Sequence, residues 1–257
     1  MPVITDPAFY AVAIPAVLLV GISKSGFGAG FGALGVPLMA LAVPVPQAAA
    51  IMLPLLVIMD FMGLAALAKH ADRGLIKLLL PTGLVGICIG TASFGLMKAS
   101  TVAGVVGALT LTFLAIRTLF PPKADAPPPP RWVGGLLGTA SGFTSFVSHA
   151  GGPPLGFYLL PQKLPPLVFA GTSAVFFTVI NLSKWPPYAA LGLIDLTNMS
   201  TSLALAPVAP LGGWAGLRFT KKVSPVLFYR LFLTGMFFAG SKLLWDGLRP
   251  WLASTGH

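Results

Sequence analysis

The sequence predicts an all-α polytopic membrane protein of two homologous halves, read as inverted repeats. Each half holds one glycine-broken segment, re-entrant or discontinuous, and three transmembrane helices. Three observations predict this. The 257 residues are 56% hydrophobic and 9% charged, with a mean hydropathy of +0.89, whereas a water-facing domain carries roughly a quarter of its residues as charges. Apolar runs about 20 residues long, the length of one bilayer crossing, recur along the chain. The chain also repeats itself.

Taken in order, residues 8–43 are apolar for too long to make one straight crossing at about 1.5 Å per residue. They are interrupted by GISKSGFGAGFGALGVP, Gly21 to Pro37. Ala48 to Ala68, Gly74 to Met97 and Thr101 to Phe120 are each the length of a single span. PPKADAPPPPR, Pro121 to Arg131, then places prolines and charges where no helix persists. It is a linker, so the expected units are 1–120, a proline-rich linker 121–131, and 132–257. Residues 132–160 form a second overlong apolar stretch, interrupted by GTASGFTSFVSHAGGPP, Gly138 to Pro154. Pro166 to Leu193, Met199 to Leu217 and Pro225 to Trp245 complete the second half.

The two interruptions match. A shift of 116 residues places Ser25 on Ser141, Gly26 on Gly142, Phe27 on Phe143, Gly35 on Gly151 and Pro37 on Pro153. Further on, Asp60 falls opposite Asn181, and Pro81, Gly86 and Gly90 fall opposite Pro207, Gly212 and Gly216. Glycine-interrupted segments at corresponding positions of two halves are the best sequence pointer to a transporter's binding site.

Composition removes other classes. The single cysteine, Cys88, forms no internal disulfide or multi-cysteine metal site, and His70, His149 and His257 lie too far apart for a helical zinc motif. No metal, cofactor or catalytic residue is expected. Sixteen Lys and Arg against six Asp would suggest nucleic acid in a soluble chain. Here the basic residues lie between apolar segments, where they orient the chain and meet anionic lipid. The expected partners are a small anion and membrane lipid, with no nucleic acid. The first residues carry no basic stretch and no small-residue cleavage site, so no removable leader is read there.

Orientation follows from the same charges. Eight simple spans divide Lys and Arg nine to six between the two faces. If each broken segment instead returns to its own side, one face collects Lys69, Arg73, Lys77, Arg117, Lys123, Arg131, Lys163, Arg218, Lys221, Lys222 and Arg230. The other keeps Lys98, Lys184, Lys242 and Arg249, with Lys24 inside. This fits the excess of positive charge on cytoplasmic loops better, and it inverts the halves.

A helix break in hydrocarbon must be buried in protein or line a wet cavity. Its half-helix N-termini favour an anion, and glycine lets a ligand approach the backbone. The candidate substrate-binding residues are therefore Lys24, Ser25, Gly26 and Gly28 in the first motif, with Ser141, Gly142, Thr144, Ser145, His149 and Gly151 in the second. Asn181 and Lys184 join them from the span that follows the second motif. The glycines could instead serve close helix packing, a reading that the attached prolines and the repeat weaken, and the Ser and Thr hydroxyls could bond helix carbonyls. Lys24 has no acid within 15 residues, so it either attracts an anion or snorkels to the surface. His149 and Asp60 are the candidates for proton coupling.

The duplicated motif, HAGGPP of His149 to Pro154, and INLSKWPPYAALG of Ile180 to Gly192 together resemble the TauE/SafE family of membrane transporters. The resemblance covers residues 8–247. It implies a multi-pass protein of the cell membrane that exports sulfite or an organosulfonate. The first copy departs from the family's glycine clusters by Lys24, Phe27 and Phe31. A passive anion channel is the main alternative. An intramembrane hydrolase is the other, but GTASG and His149 lie within one broken segment and the near-copy lacks the histidine.

Overall fold

The computed structural model describes residues 3–24, 31–120, 127–219 and 225–254, and no strand occurs among them. Many of the helices begin where the chain supplies a cap or a proline. Asp6 accepts from the Ala8 amide to start α1 (Pro7–Ile22), and Asp72 accepts from Leu75 to start α4 (Arg73–Phe94). Asp195 does the same for Asn198 at α10 (Leu196–Leu205). Such caps satisfy amides that open a helix without a partner. Proline at the first turn, where its missing N–H costs nothing, opens α3 (Val45–Leu67), α7 (Gly152–Leu159) and α8 (Pro166–Ser183). The remaining helices are α2 (Gly35–Met39), α5 (Ala99–Leu119), α6 (Arg131–Ser148), α9 (Trp185–Ala190), α11 (Val208–Phe219) and α12 (Pro225–Ser254).

Three of the closest helix pairs join an element of residues 1–120 to one of 132–257: α4 with α6, α5 with α12, and α1 with α11. Each contact runs through glycine. A Cβ on Gly142 would overlap the Gly83 carbonyl, and one on Gly86 would overlap that of Thr139, so α4 and α6 meet backbone to backbone. Gly21 lies against Gly212 in the same way, and Gly104 against Gly247. Without a hydrophobic drive between helices in lipid, such close approach is what association depends on. α3 packs on α8 at the centre, and α3 also touches α10 as α8 touches α4.

Four helical stretches among the described residues are long and apolar enough to cross a membrane: Val45–His70, Arg73–Phe94, Ala99–Leu119 and Pro166–Ala190. Their outward faces stay apolar. Phe61, Met62, Val85 and Leu167 each leave half or more of their surface outside the fold, an arrangement that suits lipid and not water. The expected single span Met199 to Leu217 is corrected: the chain divides into α10 and α11 around Ala206 and Pro207, because proline donates no backbone bond and crowds the preceding turn. The last helix runs past Trp245 to Ser254.

Candidate anion site

The second motif is a helix, a reversal and a second helix. α6 ends at Ser148 because His149 adopts the left-handed conformation, φ 54° and ψ 24°. For a residue with a side chain this conformation costs free energy and marks a functional hypothesis. A hydroxyl from α6 ties the reversal down. Ser141 Oγ donates to the Gly151 carbonyl at 2.6 Å. Thr144 Oγ1 lies 2.8 Å from the Ala140 carbonyl of its own helix and 3.0 Å from that of Ala150, with one hydrogen to share between them. The Ser141 hydrogen thus holds the break in place. Gly151 sits against it, where an added Cβ would lie 2.7 Å from the Ser141 carbonyl oxygen. Ser145 is buried one turn from His149, and its carbonyl accepts the His149 amide at 3.0 Å.

The reversal aims His149 into the centre of the fold. Its Nε2 lies 2.9 Å from the Ala49 carbonyl on α3. A carbonyl only accepts, so Nε2 carries the hydrogen and Nδ1 is left as an acceptor. Lys184 Nζ, at the junction of α8 and α9, donates to that Nδ1 at 2.8 Å and to Asn181 Oδ1 at 2.7 Å. Asn181 Nδ2 donates to Asp60 Oδ2 at 2.5 Å, and Lys24 Nζ donates to Asp60 Oδ1. Five side chains therefore form one continuous network, Lys24–Asp60–Asn181–Lys184–His149. Asp60, Asn181 and Lys184 are buried, Lys184 completely. The Lys24 side chain is 26% exposed and is the open end.

This arrangement joins most of the charged and amide residues singled out from the sequence. Lys24 is not unpaired, because its acid stands 36 residues away on α3. Gly142 is a helix-packing glycine against α4. Ser25, Gly26 and Gly28 lie outside the described residues. Sequence reasoning gave no role to Tyr188, which is fully buried and donates from its hydroxyl to the Phe146 carbonyl at 2.7 Å. Its ring stands edge-on to Phe146 at 5.2 Å, so α9 is fastened to the last turn of α6 beside His149. The available signal was the motif itself, a tyrosine directly after Trp185, Pro186 and Pro187.

Apolar helices of membrane-spanning length around a buried, charged and hydrogen-bonded interior define an integral membrane protein of the transport class. The TauE family model, described as sulfite exporter TauE/SafE, matches residues 13–243, nearly the whole chain, and the chain belongs to that family of sulfur-anion export transporters. No curated protein and no solved structure matches it.

Proposed function

We propose that this protein is a secondary transporter that exports a small sulfur-containing oxyanion, sulfite or an organosulfonate, across the cell membrane. The anion site is the junction of Lys184, Asn181 and His149. One observation carries the reading: two lysines and a single carboxylate are hydrogen-bonded together in an interior that is otherwise apolar or neutral. An uncompensated cation is costly in such a place unless an anion joins it.

The halves are read as inverted repeats, 1–120 and 132–257 joined by the linker 121–131. The packing supports a two-fold relation between the halves. Exchanging the halves turns the α4–α6 contact into α11–α1 and the α3–α10 contact into α8–α4, while α3–α8 and α5–α12 map onto themselves. Asp60 and Asn181, which the repeat relates, touch each other, as two-fold mates do only on the axis.

Proton coupling fits His149 better than Asp60, which Lys24 already neutralises. A proton on Nδ1 removes the acceptor for Lys184 and sets two cations 2.8 Å apart. Protonation of His149 and its bond to Lys184 therefore exclude each other, and a proton would free Lys184 to move with the anion.

Flux in proteoliposomes tests the reading. Sulfite or methanesulfonate movement should saturate with concentration and accelerate when a pH gradient is imposed. Absence of flux for both anions would defeat the proposal. Unsaturable flux with large unitary currents would make the protein a channel instead.

A further inference from the structure

The network's charge can be counted. Among the described residues Asp60 and Lys184 are the only buried charged side chains, and Lys24 is ion-paired to Asp60. Asn181 is neutral, and so is His149 with its hydrogen on Nε2 and its Nδ1 accepting from Lys184. Residues 25–30 of the first motif include no charged side chain. Lys24 and Asp60 cancel. Counted with Lys184 as an ammonium, one positive charge remains, and that ammonium has three N–H donors. Two of them go to Asn181 and His149, and the third has no acceptor among the described residues.

Building on the anion-site reading above, we propose that this site selects its anion by valence, taking a singly charged oxyanion on the free Lys184 donor and discriminating against dianions. A monoanion brings the buried network to neutrality. A dianion would leave one net negative charge in a low-dielectric interior, where an uncompensated ion is heavily penalised. The ligand class is therefore a monovalent sulfur oxyanion, of which an alkanesulfonate is the simplest case, and not sulfate or fully ionised sulfite. The Lys24–Asp60 pair sets this valence, because removing the carboxylate alone would raise the site to two positive charges.

The test is equilibrium binding of methanesulfonate and sulfate to the purified full-length protein in mildly alkaline buffer. There the two ligands share tetrahedral sulfur but carry one and two charges. Methanesulfonate should bind at least about tenfold more tightly, a difference of about 1.4 kcal/mol. Asp60→Asn should shift the ratio toward sulfate by at least about tenfold. The double variant Lys24→Met/Asp60→Asn, which restores a single positive charge, should return the ratio to that of the wild type. Sulfate binding to the wild type as tightly as methanesulfonate overturns the valence inference and leaves the transport reading standing. If neither ligand binds to folded wild-type protein, the valence inference falls, and the flux measurement decides the transport reading separately. The wild-type ratio needs no variant, so an unstable variant does not blunt the test.

Discussion

The two halves of the chain bring unlike contributions to one network. The first half supplies Lys24 and Asp60, an ion pair whose charges cancel within the half. The second supplies Lys184, whose bonded partners Asn181 and His149 are both neutral. An ion pair that satisfies itself holds structure together, because removing one member strands a buried charge. A cation among neutral acceptors keeps affinity in reserve for something negative. The contrast teaches that a duplicated fold can divide labour: one half supplies a self-compensating pair, and the other supplies the cation that, on the proposed reading, meets the ligand.

The comparison breaks most visibly at Lys24. Lys24→Met strands Asp60, and losing one partner of a buried pair costs about 3–5 kcal/mol. The loss should fall toward the lower end, because the Lys24 side chain is 26% exposed. Thermal unfolding in detergent should show a large drop that Asp60→Asn largely repairs; a variant as stable as wild type would mean the pair is not structural.

A smaller loss is expected where the halves meet through glycine. Gly142→Ala forces a methyl onto the Gly83 carbonyl, an overpacking that costs about 1–3 kcal/mol. Gly135→Ala on the same helix meets nothing nearer than Thr82 Cγ2 at 3.7 Å, so it should stay within about 0.5 kcal/mol of wild type. Equal unfolding temperatures for the two variants would deny that α4 and α6 need the close approach. The smallest effect is at Tyr188. Tyr188→Phe removes the bond to the Phe146 carbonyl and should cost about 1 kcal/mol of stability, with anion affinity nearly unchanged.

Much of this was legible in the sequence, for identifiable reasons. Composition and run length marked the helices, because lipid tolerates no other open backbone. The repeat put Asp60 opposite Asn181, and those two side chains do meet. The motif singled out His149, which occupies the left-handed turn. Other features were hidden because they depend on distance across the fold. Nothing local ties Lys24 to an acid 36 residues on, and no pattern shows that Gly142 faces Gly83 and not a ligand. The division at Ala206 and Pro207 was masked by unbroken apolarity, although proline alone was sufficient warning.

The division of labour is tested most directly by methanesulfonate binding to three purified proteins at matched folding: wild type, Lys24→Met/Asp60→Asn and Lys184→Met. Deleting the first-half pair keeps the net charge and should leave affinity within about threefold. Deleting the second-half cation removes a charge-assisted hydrogen bond, worth about 1.5–3 kcal/mol, and should weaken binding roughly ten- to a hundredfold. Unchanged affinity in Lys184→Met, with binding lost in the pair-deleted protein, would contradict the account by placing the anion on the first half.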